Sequence, residues 1–300
     1  MKILLLGKDG QVGWELQRAL APLGEVIALG RDSLAPLNAD FQNFEALVAT
    51  VRTIAPQIIV NAAAYTAVDK SEREPELART INATAPGALA REAAALGAWL
   101  LHFSTDYVFD GSGAAPWSES SPTGPLNVYG ATKLAGEEEI LASGCSHLIL
   151  RTSWVYAARR NNFARTMLKL ARSRNSIEVV DDQFGAPTGA DLLADVSAHC
   201  LRTALNHSDV SGIYHAVAQG ETSWHGYACH VIEFALAAGQ SLLTTPRSVV
   251  AVPSQSLALT ARRPSNSRMN TNKLTQTFGL TMPPWQSGVN RMLSEVMEQD

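Results

Sequence analysis

Apolar residues in the first half of the chain come in short runs: Lys2 to Leu6, Glu25 to Leu29, Gln57 to Asn61, Trp99 to Thr105 and His147 to Thr152. Between them lie Gln11 to Ala21, Phe41 to Ile54, Pro75 to Leu96 and Tyr129 to Ala142, all rich in Ala, Leu and Glu. The short runs suit strands buried on both faces, and the longer stretches suit the helices that cover them. Such alternation predicts βα units feeding one parallel sheet, an α/β, Rossmann-type doubly wound fold.

After Trp154 the pattern loosens. Helices are expected over Phe163 to Arg172, Asp191 to Leu205, Ser223 to Ala238 and Pro284 to Glu298, with strands over Ile177 to Val180 and Gly212 to Val217. A proline- and serine-rich passage covers Val252 to Asn270, and neither a repeat nor a long linker interrupts the chain. The expected organisation is a first domain over 1–155 and a smaller C-terminal α/β lobe over 156–300 that packs against the C-terminal strand edge, with some chain crossing back.

With 300 residues, 46% apolar, the chain can bury a large core, and its net charge of -4 leaves no basic footprint for nucleic acid. No apolar run approaches the roughly 20 residues that cross a bilayer. Nor does a signal-peptide pattern open the sequence, so a soluble, cytoplasmic protein is expected. Cys145, Cys200 and Cys229 are too few and too far apart for a disulfide framework or a CxxC site, which leaves buried packing as their expected role. His225 and His230 are poorly spaced for one metal, and no HExxH occurs.

Candidate chemistry enters at Gly7-Lys8-Asp9-Gly10-Gln11-Val12-Gly13, which lies between the first strand and the first helix. In that context Gly7, Gly10 and Gly13 permit a tight turn and close backbone approach to a dinucleotide pyrophosphate, which meets the positive helix end at Gln11 and Val12. Arg31 follows the second strand, where an NAD site often carries a carboxylate; its fork suits a 2′-phosphate and predicts NADPH over NADH, while Asp32 beside it offers the carboxylate alternative. Asp40, Phe41 and the small residues Ala62, Ala63 and Ala64 suit adenine and ribose contacts, and Phe103 belongs with them at the fourth strand.

Tyr129 and Lys133 stand one helical turn apart, some way after Ser104, Thr105 and Asp106 at the end of that fourth strand. A free phenol ionises near ~10. An ammonium at i+4 is expected to lower that value, and Thr105 at a strand tip is placed to bond a substrate oxygen. Thr105, Tyr129 and Lys133 thus form a candidate catalytic set, with Tyr129 and Lys133 also touching the cofactor.

Several longer stretches resemble the dTDP-4-dehydrorhamnose reductase family of extended short-chain dehydrogenase/reductases: Ser104 to Gly111, Tyr129 to Lys133, Arg151 to Tyr156, Asp182 to Thr188 and Arg262 to Pro264. The resemblance implies NADPH-dependent reduction at C4 of dTDP-4-dehydro-L-rhamnose, the last step towards a sugar of O-antigen and other surface polysaccharides. It also implies that Tyr129 protonates the alkoxide, Lys133 holds the ribose, Thr105 orients the carbonyl and Trp154 flanks the sugar. Val68, Asp106 and Arg263 are further substrate candidates, and Arg262 or Arg263 would meet the diphosphate. A homodimer with Mg²⁺ held by Glu15, Asp191 and Glu295 is implied too, although Asp191 stands where the family pattern has glutamate, and Tyr65 where it has histidine. Two other readings share parts of this pattern: a nucleotide-sugar epimerase or dehydratase, and a non-catalytic subunit like the regulatory partner of eukaryotic methionine adenosyltransferase. Tyr107, rather than an acid, follows Asp106 and argues for plain reduction; the complete Thr105, Tyr129 and Lys133 set argues against a silent subunit.

Overall fold

A computed structural model describes residues 1–33, 36–257 and 260–299. The first half builds β1 (Lys2–Leu6), α1 (Gln11–Leu20), β2 (Glu25–Leu29), α2 (Phe44–Ile54), β3 (Ile58–Asn61), α3 (Val68–Ser71), α4 (Pro75–Arg79), α5 (Ala85–Leu96), β4 (Trp99–Thr105), α6 (Val128–Ala142) and β5 (His147–Thr152). The second half adds β6 (Val155–Tyr156), α7 (Phe163–Ala171), β7 (Ile177–Val180), β8 (Phe184–Gly185), β9 (Thr188–Gly189), α8 (Ala190–Ala204), β10 (Gly212–His215), β11 (Thr222–Ser223), α9 (Trp224–Ala237), β12 (Val249–Val252), α10 (Asn272–Phe278) and α11 (Trp285–Gln299).

Six strands form one sheet in the order β10-β5-β4-β3-β1-β2, every neighbour parallel. Ile3 and Leu5 point to one core with Leu16, Leu20, Val60 and Leu101, while Leu4 and Leu6 point to another with Leu47, Val51, Ile59 and Leu89. This two-sided burial is the reason the strands read as continuous apolar runs rather than alternating ones. A third core, of Leu168, Val179, Tyr227, Val231, Val289 and Leu293, joins α7, α9, α11 and the parallel pair β7–β12. The second half also returns to the sheet: β10 extends it beyond β5, and Leu193, Ala194 and Leu201 of α8 enter the first core beside α1.

Three expectations need correction. The helix expected from Phe41 starts at Phe44, because the Asn43 side chain accepts from Ala46 N–H and sets the boundary there; Phe41 is instead a buried plug. The single helix expected over Pro75 to Leu96 contains a π turn, Thr80–Thr84, between α4 and α5. Cys229 is only half-buried, unlike Cys145 and Cys200. The strand β12 and the helix α10 escape the sequence pattern, since they flank a proline- and serine-rich passage of which residues 258 and 259 lie outside the described part.

One buried ion pair ties α6 to the sheet. Arg151 on β5 donates through Nε and Nη2 to the two carboxylate oxygens of Glu137, at 2.9 and 2.6 Å, and Ser104 Oγ on β4 donates to Oε1 at 2.5 Å. Arg151 and Glu137 are 3% and 1% exposed, so each depends on the other for its solvation. Substituting Glu137→Gln is expected to cost about 3 kcal/mol by leaving the guanidinium buried without its counter-charge. Denaturant unfolding checks this; a loss under about 1 kcal/mol would mean that the pair does not hold the helix in place.

Candidate active site

The strand order reverses between β1 and β3, which leaves a crevice beyond their C-terminal ends, the usual ligand position of an open α/β sheet. Two adjoining cavities, of about 390 and 400 Å³, fill that crevice. The first is lined by Gly7, Gly10, Arg31, Asp40, Phe41, Ala62, Ala63 and Ala64, and the second by Gly10, Gln11, Val12, Ala62, Ala64, Phe103, Tyr129 and Lys133. All but one of the expected cofactor residues therefore converge on one continuous cleft. Gly13 stands behind it, where a Cβ would be driven into the Gly7 carbonyl oxygen.

The cleft fits a dinucleotide on two independent observations. Gly7 has φ +88°, and a Cβ there would lie 2.7 Å from Ala63 N, so the turn keeps the backbone bare where a phosphate must approach. Gln11 Oε1 and Thr152 Oγ1 are buried beside the second cavity without a hydrogen-bond partner among the described residues, an arrangement that a polar ligand would satisfy.

Tyr129, Lys133 and Glu137 are four residues apart on α6 and share one face, with Glu137 clamped to β4 and β5 below the two reactive side chains. The helix begins where Asn127 Oδ1 accepts from Gly130 N–H at 2.8 Å, while Asn127 Nδ2 donates to the Arg262 carbonyl at 2.7 Å. That second bond couples the start of α6 to the C-terminal passage.

Lys133 is fully buried and donates to the Phe103 carbonyl at 2.5 Å, with His102 Nε2 at 3.0 Å. Asn61 closes the network behind His102: its Oδ1 accepts from Ala63 N–H, which turns its Nδ2 towards His102 Nδ1 at 3.0 Å. The imidazole then carries its proton on Nε2, and this network closes without a clash when Lys133 is an amine accepting that proton. Burial pulls the Lys133 ammonium down to about 8, in the same direction, with the Glu137 carboxylate opposing, and burial holds His102 neutral well below its ordinary range. The expected lowering of Tyr129 by Lys133 is not what this arrangement gives. Burial instead pushes the phenol up to about 12, opposed by the Thr105 hydroxyl and reinforced by Asp106.

Thr105 ends β4, buried, with Oγ1 accepting from Tyr107 N–H at 3.2 Å and facing Asp106 Oδ1 at 3.1 Å. Asp106 is 2% exposed, and its Oδ2 has no hydrogen-bond partner among the described residues. Burial raises its carboxyl to about 7 against the Ser267 and Thr105 hydroxyls.

The remaining substrate candidates, Val68, Trp154 and Arg263, line neither cavity. Arg263 forks onto Asp69, Nη2 to Oδ2 at 2.5 Å and Nη1 to Oδ1 at 3.3 Å, which sets it beside Val68 at the start of α3. Trp154 has a left-handed backbone, φ +49°, and stacks on Trp224 of α9 with ring centroids 3.8 Å apart. Tyr65, at the first cavity, donates to Glu74 at 2.6 Å.

Glu15, Asp191 and Glu295 do not fit a Mg²⁺ within one chain. Glu15 faces Arg18 at 3.6 Å, Asp191 pairs with Arg291 at 2.6 Å, and no group of three His, Cys, Asp or Glu side chains among the described residues could hold a metal. Sequence reasoning also misses His102, Asp69 and Arg160, and reads Asn61 only as part of the small-residue run suited to adenine and ribose. Asp69 and Arg160 are charged, but neither stands in a motif that marks it.

The family model of the RmlD substrate binding domain matches residues 1–298. A dTDP-4-dehydrorhamnose reductase of Escherichia coli K12 is 57% identical over 296 residues, 99% of this chain and 98% of that protein. The crystal structure of a dTDP-4-dehydrorhamnose reductase from Clostridium acetobutylicum superposes with a TM-score of 0.88 at 32% identity, covering 99% of this chain and all of that one. One from Bacillus anthracis in complex with NADP superposes with a TM-score of 0.86 at 33% identity, covering 98% of this chain and 99% of that one.

Asp106 gives a pH test with a definite sign. The native carboxyl keeps its proton up to about 7, whereas an unfolded Asp releases it near its ordinary value of 3.8. Between these values the native state binds more protons, so its contribution falls as pH rises, by about 1.4 kcal/mol per unit at most. Asp106→Asn lacks this dependence. The stability difference between variant and parent, followed from pH 4 to 7 by thermal unfolding, is expected to move in the variant's favour as pH rises; a flat difference would place the carboxyl's titration outside that window.

Proposed function

This chain belongs to the RmlD substrate binding domain family, that of the dTDP-4-dehydrorhamnose reductases, and from that premise we propose that it reduces the C4 ketone of dTDP-4-dehydro-L-rhamnose to dTDP-L-rhamnose with NADPH. The observation that carries the proposal is the α6 face, which presents Tyr129 and Lys133 to the second cavity, with the Thr105 hydroxyl at the tip of β4 bonding to the phenol.

When bound, the cofactor supplies the hydride. Tyr129 gives its phenolic proton to the C4 oxygen as that oxygen becomes an alkoxide. With its pKa pushed up to about 12, the phenol stays protonated at neutral pH and is ready as the acid, while the alkoxide is basic enough to take the proton. Thr105 holds the same oxygen in line, and Lys133 holds the ribose hydroxyls. Arg31 is exposed in the first cavity and has no ion pair among the described residues, which suits it to a 2′-phosphate and favours NADPH over NADH.

Val68, Asp106, Trp154 and Arg263 form the sugar side, with the indole stacked on Trp224 as a flat apolar wall. Arg262 is exposed and free of ion pairs among the described residues, which leaves its fork available to the diphosphate, whereas Arg263 is already neutralised by Asp69. We take residues 1–155 as the cofactor domain and 156–300 as the substrate lobe, from which α8 and β10 cross back to the sheet. Cytoplasmic synthesis of a rhamnose donor for O-antigen or other surface polysaccharide follows from the same reading. No described helix is long and apolar enough to cross a membrane, in keeping with a nucleotide-sugar substrate. A homodimer belongs to the proposal; no step runs through Mg²⁺, because two of the three carboxylates expected to hold it, Glu15 and Asp191, face arginines.

The test follows the absorbance of NADPH, then NADH, with dTDP-4-dehydrorhamnose as substrate. NADPH is expected to be consumed faster, with dTDP-L-rhamnose formed. Tyr129→Phe is expected to keep NADPH affinity while losing about 100-fold or more in turnover. No consumption with either cofactor would overturn the function, and near-parental turnover of the variant would remove Tyr129 from it.

A further inference from the structure

Gly10, Ala62, Ala64 and Arg160 line both cavities of the cleft and so mark where the two meet. The first cavity holds Arg31, Asp40 and Phe41, the adenosine end, and the second holds Phe103, Tyr129 and Lys133, the nicotinamide end. Whatever joins those two halves of a dinucleotide must cross at these four residues. Three of them come from the glycine turn before α1 and the tip of β3, and Arg160 faces them from the other side, on the segment between β6 and α7.

That segment is a held loop. On one side the Arg159 guanidinium lies over the Trp14 ring of α1, 3.5 Å from its centroid. On the other, Asn162 Nδ2 donates to the Ala157 carbonyl at 2.6 Å and Arg165 Nη1 to the Ala158 carbonyl at 2.7 Å. Arg160 is the apex, with a left-handed backbone at φ +64°, a conformation that favours glycine. Its side chain is exposed and makes no hydrogen bond or ion pair among the described residues. A bulky residue kept in that conformation, with an uncommitted fork of donors at the junction of the cleft, points to a ligand-binding task.

We propose that Arg160 binds the cofactor pyrophosphate, clasping it against the N-terminus of α1. It is thus a positioning residue for the reduction, and Arg159 on Trp14 pins it across the cleft. This rests on the cofactor reading above. One charged fork on a dianion accounts for most of the effect, so NADPH and NADH weaken together, whereas a ligand without a pyrophosphate is indifferent.

Isothermal titration of the full-length protein with NADPH, NADH and adenosine 2′-monophosphate tests this in the parent, Arg160→Gly and Arg160→Lys. Glycine suits the left-handed backbone, so a loss in that variant is not a loss of fold. Arg160→Gly is expected to weaken both dinucleotides by about tenfold, with the affinity for adenosine 2′-monophosphate held. Arg160→Lys should restore part of the loss. In steady state the change should fall on the KM for cofactor more than on kcat. Equal dinucleotide affinities in Arg160→Gly would overturn the proposal, as would a loss confined to NADPH, which would assign Arg160 to the 2′-phosphate. A parent protein that binds neither dinucleotide would overturn the cofactor reading itself, a separate result.

Discussion

The buried pair of Glu137 and Arg151 determines where the Tyr129 phenol stands. Glu137 lies two helical turns from Tyr129 on one face of α6, and its carboxylate is held by Arg151 of β5 and Ser104 of β4. Because the pair is almost without solvent, a slip of α6 along the sheet would strand two charges in the interior. The helix therefore has one favourable register, and in that register Lys133 reaches the Phe103 carbonyl and Tyr129 reaches the cleft. Ser104 also precedes Thr105, so the same clamp fixes the strand tip that carries the substrate-facing hydroxyl.

Electrostatics at the site follow from this burial. Tyr129 and Asp106 are raised and Lys133 is lowered, each mainly because the charged form loses water. At neutral pH the Tyr129 phenol is therefore protonated, while Asp106, at about 7, and Lys133, at about 8, titrate close to it. A phenol held protonated suits the proton delivery proposed for Tyr129, and the Arg263–Asp69 pair keeps a further charge neutralised at the start of α3.

What could be read from the sequence was local. The glycine turn, the strands of the sheet and the i+4 pair of Tyr129 and Lys133 each express their geometry within a few residues, so pattern alone places them. What could not be read depends on partners distant in the chain. Asp69 meets Arg263 across 194 positions, and His102 becomes meaningful only when Asn61 and Lys133 flank it in space. Phe41 fits a helical period, yet the cap at Asn43 excludes it from α2. The metal expectation rested on likeness at three carboxylates; Arg18, which faces Glu15, stands three residues on in the same helix and was legible, whereas Arg291 meets Asp191 across 100 positions.

The most direct measurement is transfer of label from NADPH deuterated at C4 of the nicotinamide to the sugar, read by NMR of the nucleotide-sugar product. The account predicts deuterium at C4 of dTDP-L-rhamnose and nowhere else on the sugar, because one cleft brings the hydride donor and the Tyr129 proton to the same carbonyl. Product lacking deuterium at C4, or product of inverted configuration at C4, would contradict it.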